Sequence, residues 1–299
     1  MKHIVSVSLG SHSRDHEALL SVLGDTVQLS RRGFDGSLDA AEAQIRELDG
    51  MVDAIGLGGI DRYLIVRNKR YEIQDALRLA KAASRTPVAD GSGVKNTLER
   101  RIIAELDRDG VIHSGQRVLM VSAMDRFGMA ETFAELEYPL IAGDLIFASR
   151  INYPIRSVDE LEELAHKLLP ELSKMPFSQL YPVGEQQNEP GDPRFVRYFD
   201  EADIVAGDFH YIRRYMPPRL DGKVVITNTT TASDVERLAA AGVGMLVTTT
   251  PVLDGRSFGA NVLEAALSAV TGLTPEHPDW TRAVELSGVT GSRMPLTLK

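Results

Sequence analysis

The sequence predicts an α/β fold of two domains, of which the second is a doubly wound, Rossmann-like parallel sheet. The clearest pattern is a pair of apolar runs, residues 224–226 and 245–247, on either side of a helix-forming stretch that starts behind Ser233 and stops at Gly242. A strand, a helix and a strand in this order form a parallel β-α-β unit. Strand and helix patterns also alternate over residues 118–270, and 299 residues are enough for two cores.

Composition limits the class of protein. With 33 basic and 42 acidic residues, the formal charge is −9 and is spread along the chain, which disfavours a nucleic-acid partner. The absence of cysteine excludes disulfides, thiolate nucleophiles and cysteine-ligated zinc. No apolar run is long enough to span a bilayer, and the N-terminus leads directly into a short strand. We therefore expect a cytoplasmic protein that binds a small molecule, with no membrane partner and with homo-oligomer formation left open.

The first domain is predicted to cover residues 1–113 and to have an α/β fold. Its boundary is placed in the polar, glycine-bearing stretch that precedes a new strand at Arg117. Ser37 precedes a helical pattern as a capping residue would, and Asn68 and Lys69 mark a hairpin turn. The predicted strands are 3–8, 26–29 and 52–57 with a hairpin over 63–73, and the predicted helices are 18–23, 37–48, 74–83 and 96–106.

The second domain is predicted to cover residues 114–275 and to bind a nucleotide, followed by a tail, residues 276–299. The tail is expected to be irregular after one short helix at 280–286. The predicted strands of the domain are 118–121, 145–148, 179–181, 204–206, 224–226 and 245–247, and its helices are 128–136, 158–169, 194–200, 233–241 and 261–270.

Hydroxyl and amide side chains follow the two strands of the β-α-β unit. Open parallel sheets bind ligands at the carboxyl ends of their strands, so these positions predict one wall of a ligand crevice. The residues concerned are Thr227, Asn228, Thr229, Thr248, Thr249 and Thr250. We expect them to hold the nicotinamide end of a cofactor.

The turn after the first strand of the second domain stands where a dinucleotide domain carries its phosphate loop. Gly128 can pack the following helix closely, while Ser122, Asp125 and Arg126 offer hydrogen bonds and a charge. The next predicted strand ends in Ser149 and Arg150. An arginine at this position suits the extra phosphate of NADP, so NADP is favoured over NAD as the cofactor.

Two turns of the first domain carry candidate catalytic residues. Residues 90–97 lead into a helix, and their exposed amides with Lys95 could hold an anion; alternatively the turn is flexible and the lysine solvated. Lys95 and Asp90 are also a plausible acid/base pair for a hydroxyl group. Residues 56–61 lack the third glycine of a dinucleotide fingerprint, and Asp61 is instead interpreted as a polar residue of the cleft.

Part of the second domain resembles the shikimate/quinate dehydrogenase family. In that family a strand ends in Asn-Arg-Thr and leads into a helix rich in Glu-Glu-Leu-Ala, and residues 145–165 show a similar run, with Ser149 and Arg150 on the Asn and Arg. The whole chain resembles bacterial proteins labelled quinate 5-dehydrogenase. The resemblance implies a substrate domain followed by a nucleotide domain. The family's catalytic lysine and aspartate motifs are absent, so Lys95 with Asp90 is the nearest substitute.

The predicted function is an NAD(P)-dependent oxidoreductase that transfers a hydride between a nicotinamide and a small polyhydroxylated acid such as quinate or shikimate. Lys95, Asp90 and Asp61 are its candidate catalytic residues. The alternative is a non-catalytic nucleotide-binding or anion-binding, sensing protein that uses the same interdomain crevice, and a third reading is a transferase with another nucleotide. No metal site is predicted, because His12 and His16 lack a third ligand and are read as surface histidines.

Overall fold

The computed structural model describes residues 1–180, 191–253, 256–257 and 259–296. Within these ranges the chain forms two mainly parallel sheets with helices packed around them. The strands are β1 Lys2–Ser8, β2 His16–Val22, β3 Asp25–Gly33, β4 Ala54–Gly58, β5 Tyr63–Val66, β6 Lys69–Glu72, β7 Val88–Ala89, β8 Val118–Met120, β9 Leu140–Ala142, β10 Ile204–Gly207, β11 Val224–Thr227, β12 Met245–Thr248, β13 Val252–Leu253, β14 Arg256–Ser257 and β15 Ser292–Pro295.

Helices connect most of these strands, as parallel pairing requires. They are α1 Leu38–Leu48, α2 Gln74–Ala80, α3 Ser92–Arg108, α4 Phe127–Glu135, α5 Asp144–Phe147, α6 Val158–Leu172, α7 Phe177–Leu180, α8 Val196–Glu201, α9 Phe209–Tyr215, α10 Ala232–Ala240, α11 Ala260–Thr271 and α12 Thr281–Ser287. Short 3-10 helices lie at His12–Arg14, Met124–Arg126 and Pro193–Phe195. Among the helices so described, none is both long enough and apolar enough to cross a membrane.

The first sheet has the order β2-β3-β1-β4-β7 and is parallel except for β2. Alternate residues of a strand point to opposite sides of a sheet. Consecutive residues of β1 are buried, so both sides of the sheet are covered at this strand. Val5 and Val7 of β1 pack with α1 and α2, whereas Ile4 belongs to a cluster that includes apolar residues of α3 and α11. The β5–β6 hairpin stands apart from this sheet.

The second sheet has the order β15-β12-β11-β10-β8-β9, with β15 antiparallel to β12. Helices cover both faces: Met120 packs with residues of α3, α4 and α6, while Leu119 packs with residues of α8, α9 and α10. Counted along this part of the chain, the parallel strands lie in the order second, first, third, fourth, fifth. A dinucleotide domain has the order 3-2-1-4-5-6, which this sheet does not follow. The mixed α/β fold in two domains is as predicted.

Helices α3 and α11 join the two sheets through one continuous group of buried apolar side chains. Helix α11 comes after the last parallel strand of the second sheet, yet it packs on β1 and β4 of the first. Its Asn261 donates a 2.9 Å hydrogen bond to Ser6 of β1. Gly56 of β4 permits this approach, since a side chain there would lie 3.1 Å from the main-chain oxygen of Asn261.

The β-α-β unit of the second domain is confirmed. Strands β11 and β12 pair in parallel with helix α10 between them. The helix is capped by Thr231, not by Ser233 as expected, because Thr231 forms a reciprocal pair of hydrogen bonds with Asp234.

Some predicted elements are wrong. The helix expected at 18–23 is strand β2, in which Leu20 and Val22 point inward and Leu19 points to solvent. The strand expected at 145–148 is helix α5, and the strand of this region, β9, lies just before it. Residues 179 and 180 of the strand predicted at 179–181 lie in helix α7, while residue 181 falls outside the described residues. Part of the tail expected to be irregular forms β15.

Candidate functional site

Charged side chains that follow strands of both sheets meet around helix α3. Asp61 follows β4, whereas Asp125 and Arg126 follow β8. Lys95 of α3 donates a 2.8 Å hydrogen bond to Asp61, and Glu99, one turn further along the helix, is ion-paired with Arg126. Side chains from residues 63–65, 92–99 and 125–127 enclose a space of about 10 Å³, called here the inner pocket. This space is the size of one water molecule.

Lys95 is held in its charged form. Burial opposes the charge, but the carboxylates of Asp61 and Asp125 outweigh it and raise the pKa of Lys95 to about 12. A group with this pKa does not exchange its proton readily near neutral pH, which an acid/base catalyst must do. The structure thus brings the predicted Lys95 and Asp61 together, as an ion pair.

Asp90 lies beside this pair and is occupied by hydrogen bonds to the protein. One carboxylate oxygen accepts from the main-chain N–H groups of Arg62 and Tyr63, at 2.7 and 3.1 Å. The other accepts from the hydroxyl and the N–H of Ser92. Burial, together with the charge of Asp61, raises the pKa of Asp90. These bonds tie the loop after β4 to the start of α3.

The amino-terminal end of α3 is already occupied by a carboxyl side chain. Glu264 of α11 accepts hydrogen bonds from the main-chain N–H groups of Val94, at 2.9 Å, and Gly91, at 3.2 Å. Burial, reinforced by Asp90, raises the pKa of Glu264 to about 8. The anion site expected at residues 90–97 is therefore filled by a side chain of the same molecule.

Three buried polar atoms of the inner pocket lack hydrogen-bond partners within the described part of the chain. They are Oε2 of Glu99, Oδ1 of Asp125 and Nε of Arg126. Nε of Arg126 is 3.8 Å from Asp125, beyond hydrogen-bond distance. Burial raises the pKa of both Glu99 and Asp125. An unpaired buried polar group is costly, so these atoms point to a missing partner.

The predicted phosphate loop has another structure. Residues 124–126 form a 3-10 helix whose arginine is ion-paired with Glu99, and Ser122 accepts a 3.2 Å hydrogen bond from the N–H of Asp208. Gly128 packs against α3: a side chain there would begin 2.2 Å from Asn96 and 2.7 Å from Arg100. The space that a pyrophosphate would need is occupied by protein.

The predicted cofactor-specificity residues do not follow a strand. Helix α5 ends at Phe147, and both Ser149 and Arg150 are exposed on the loop behind it. In a dinucleotide domain the residues that recognise the adenosine phosphate stand at the end of a strand, and these two residues do not.

The threonine-rich strand ends lie at the carboxyl ends of β11 and β12, as predicted, but their polar groups bind the protein. The hydroxyl of Thr227 donates to the carbonyl of Gly207 at 2.7 Å, and that of Thr248 donates to the carbonyl of Thr250 at 2.8 Å. Asn228 donates to Asp208 at 2.8 Å. The remaining members show the same inward placement, since Thr249 and Thr250 are buried and Thr229 is half-buried.

The two close histidines lie on different elements. His12 belongs to a 3-10 helix and pairs with Asp35 at 2.6 Å, while His16 begins β2.

A second and larger cavity lies on the neighbouring face of α3. It is enclosed by residues 65–70 of the β5–β6 hairpin, 93–101 of α3 and 278–285 at the start of α12, and its volume is about 590 Å³. Cavities of 300 to 1,000 Å³ are typical of small-molecule sites. Four arginines line it, so it is called here the arginine cleft: Arg67, Arg70, Arg100 and Arg101.

The four arginines differ in how far they are neutralised. Arg67 and Arg100 share Glu131 as an ion-pair partner, and Arg67 also binds Asp159 and Glu162. Arg101 binds Glu105 through Nε, while its Nη1 is buried and has no partner among the described residues. Arg70 donates to the carbonyls of Glu276 and His277, both at 2.9 Å, and in the described part of the chain it forms no ion pair.

Sequence comparisons assign the chain to a family. A model described as "Domain of unknown function (DUF8754)" matches residues 93–286, which is most of the chain. The chain belongs to this family. A second model, described as "Domain of unknown function (DUF8753)", matches residues 3–90. No curated protein matches the chain.

Solved structures with some likeness to the chain include sugar-binding proteins. The glucose-galactose binding protein GanP from Geobacillus stearothermophilus is 10% identical with a TM-score of 0.38, over 99% of this chain and 97% of that protein. An ABC transporter solute-binding protein from Agrobacterium vitis, bound to α-D-tagatopyranose, is 11% identical with a TM-score of 0.37, over 98% and 94%. Likeness at this level carries no argument about the ligand.

The predicted relationship to quinate 5-dehydrogenase is wrong, as are the oxidoreductase function and the NADP or NAD cofactor. The matching family models describe domains of unknown function and name no dehydrogenase. The geometry gives the physical reason, since the β8 turn is filled by the Arg126–Glu99 pair and Arg150 does not follow a strand.

The arginines of the cleft were missed by sequence reasoning. Arg67 and Arg70 flank the hairpin turn, and Arg100 and Arg101 are adjacent in a helix. Two basic pairs of this kind are usually solvated, and only the packing of the hairpin against α3 brings them to one cavity. Glu99 and Glu264 were missed because each is a single carboxylate in an otherwise ordinary helical pattern.

Proposed function

We propose that the chain is a non-catalytic binding protein for a small molecule with an anionic group, and that this molecule occupies the arginine cleft. The observation that carries the proposal is the charge of Arg70, which lines a cavity of ligand size. Within the described part of the chain, its guanidinium contacts two carbonyl oxygens and the ring of Tyr63 but no carboxylate. A phosphate or carboxylate would supply the missing counter-charge through charge-assisted hydrogen bonds.

Neighbouring groups support the same ligand chemistry. The side-chain amide of Asn96, which lines the cleft, makes no hydrogen bond with the described residues, so it can bind an oxyanion. The Nη1 of Arg101, another lining residue, is buried and lacks an acceptor among the described residues. On the opposite wall, Asp279 and Glu285 are exposed carboxylates. The cleft therefore has a basic wall and an acidic wall, which favours a ligand with one anionic end over a ligand that is anionic throughout.

The position of the cleft suits ligand sensing. Its walls come from the first-domain hairpin, from α3 between the sheets and from α12, so a bound molecule contacts parts of the chain that are distant in sequence. The sugar-binding proteins named above also bind small molecules; the proposal does not depend on them.

Tryptophan fluorescence can test the proposal, because the chain has a single tryptophan, Trp280, whose chain neighbours Asp279 and Thr281 line the cleft. Trp280 is buried against α3, where a side chain added at Gly93 would begin 2.3 Å from its Cδ1. We expect titration with inorganic phosphate or citrate to change its emission in a saturable way. A stronger response to phosphate would indicate a phosphorylated ligand, and a stronger response to citrate a carboxylate.

Variants separate specific binding from general charge. Arg101→Gln should weaken the response about tenfold, since a charge-assisted hydrogen bond is lost. Arg108→Gln is the matched control on the same helix: its side chain is 69% exposed, pairs with Asp109 and lies outside the cleft. Saturable binding that both variants weaken equally, or no binding of either anion, would refute the proposal.

A further inference from the structure

The inner pocket adjoins the arginine cleft. Ile65 and Asn96 line both spaces. Along α3, Asn96 is three residues from Glu99 of the inner pocket and four from Arg100 of the cleft. Residues at these spacings have Cβ atoms about 5–6 Å apart. A ligand anchored in the cleft therefore needs only a short arm to pass Asn96 and reach the inner pocket.

The charges of the inner pocket differ from those of the cleft. Asp61, Glu99, Asp125 and Asp208 stand around Lys95 and Arg126, so four carboxyl groups surround two cations. A further anion would be repelled by the excess of acidic groups. The anionic end of a ligand therefore belongs in the cleft, and the group that enters the inner pocket must be neutral or cationic.

The three buried atoms without partners indicate that the group entering the inner pocket is a hydroxyl. Glu99 Oε2 and Asp125 Oδ1 need a donor, whereas Arg126 Nε needs an acceptor. A hydroxyl donates one hydrogen bond and accepts others, but an ammonium group only donates. A hydroxyl is also the size of a water molecule, which matches a space of about 10 Å³.

We infer that the ligand of the arginine cleft carries a hydroxyl group that enters the inner pocket, where it donates to Glu99 or Asp125 and accepts from Arg126. This inference rests on the proposed function and specifies its ligand class: a small molecule with an acidic group at one end and a hydroxyl several atoms away. Asp125 then acts as a specificity-determining residue, because it offers an acceptor that an apolar group cannot use.

Three probes that differ only at one end test this inference by calorimetry: 5-hydroxypentyl phosphate, n-pentyl phosphate and 5-aminopentyl phosphate. We expect the hydroxyl compound to bind about tenfold more tightly than the alkyl compound, the value of one hydrogen bond to a charged group. The amino compound should bind more weakly than the hydroxyl compound, because it leaves Nε of Arg126 without an acceptor.

The variant Asp125→Asn locates the effect. It should reduce the preference for hydroxyl over alkyl, measured as the ratio of the two affinities. Asp39→Asn is the control and should keep this ratio: this aspartate is 88% exposed, pairs with Arg78 and lies outside both cavities. The ion-pair contact of Asp125 with Arg126 is 3.8 Å long, and asparagine has nearly the same shape as aspartate, so the variant should fold, and circular dichroism checks this.

The outcomes distinguish the two proposals. Equal binding of the hydroxyl and alkyl probes would overturn the inner-pocket inference but would still support the arginine cleft as the ligand site. Tighter binding of the amino probe would also overturn it, in favour of a cation. If none of the three binds, both proposals fail. A preference for hydroxyl that survives Asp125→Asn and Glu99→Gln alike would show that the hydroxyl is recognised elsewhere.

Discussion

The carboxylate of Glu264 in α11 accepts a 2.9 Å hydrogen bond from the main-chain N–H of Val94 at the start of α3. Helix N-termini carry unsatisfied N–H groups and a partial positive charge, and they often bind anions for this reason. Here a side chain from 170 residues later along the chain performs that role. The bond joins the two helices that pack between the sheets, so it stabilises the frame around both cavities.

Glu264 should make stability depend on pH. Its ordinary pKa of 4.5 is raised to about 8 in the folded protein by burial and by Asp90. The folded state thus binds a proton more tightly than the unfolded state, so this contribution to stability is complete below about pH 4.5 and is lost as pH rises towards 8. In urea titrations across this range, the unfolding free energy of Glu264→Gln should fall less than that of the unaltered protein.

Glu135→Gln is the control for this prediction, because Glu135 is exposed on α4. It should follow the unaltered protein at every pH. A Glu264→Gln profile parallel to the unaltered one would show that Glu264 does not titrate differently on folding.

Lys95 should act as a counter-charge whose loss destabilises the fold. Its side chain is 12% exposed and neutralises Asp61, so Lys95→Met would leave a largely buried carboxylate without its partner. Removal of one member of such a pair costs about 3 kcal/mol or more. Urea unfolding should show this loss, and the double variant Lys95→Met with Asp61→Asn should recover part of it.

Lys167→Met is the matched control, since Lys167 is 74% exposed and its nearest carboxylate is 4.0 Å away. It should change stability by less than about 0.5 kcal/mol. If Lys95→Met lowers the free energy of unfolding as little as Lys167→Met does, the charge of Asp61 must be neutralised by a group other than Lys95.

Gly91 should be intolerant of any side chain, for a reason beyond its backbone angle. Its φ is 88°, and a Cβ there would lie 2.2 Å from the main-chain nitrogen of Asn261. Gly110 has a φ of 69° and nothing within 4 Å, so Gly110→Ala measures the backbone term alone. We expect Gly110→Ala to lower the free energy of unfolding by about 1–2 kcal/mol. Gly91→Ala should lower it by about 1–3 kcal/mol more than that. Equal losses in urea unfolding would mean that α11 can retreat from α3.

Local patterns were sufficient for elements with one clear periodicity. The segment from β11 to β12 was predicted because its apolar runs are short, its helix is well marked and threonines follow both strands. Strand β2 was not predicted, because the exposed Leu19 stands beside the inward-facing Leu20. Two adjacent leucines resemble part of the apolar stripe of a helix. The run at 145–148 was ambiguous, since four apolar residues fit a buried helix as well as a strand.

The candidate site was only partly predictable. Asp61, Lys95, Asp125 and Arg126 were chosen as polar residues after strands, and the structure brings them to one pocket. Their partner Glu99 carries no local signal, because its importance comes from the helix facing the β8 turn. The arginine cleft depends on the hairpin packing beside α3, a tertiary contact between segments that are about 30 residues apart and that no periodicity encodes.

Calorimetric titration with n-pentyl phosphate tests the central claim most directly. The unaltered protein should bind one n-pentyl phosphate per chain, the double variant Arg70→Gln with Arg101→Gln should lose at least about tenfold in affinity, and Arg108→Gln should match the unaltered protein. The absence of saturable binding in the unaltered protein, or an equal loss in the Arg108→Gln control, would contradict the assignment of the arginine cleft as the ligand site.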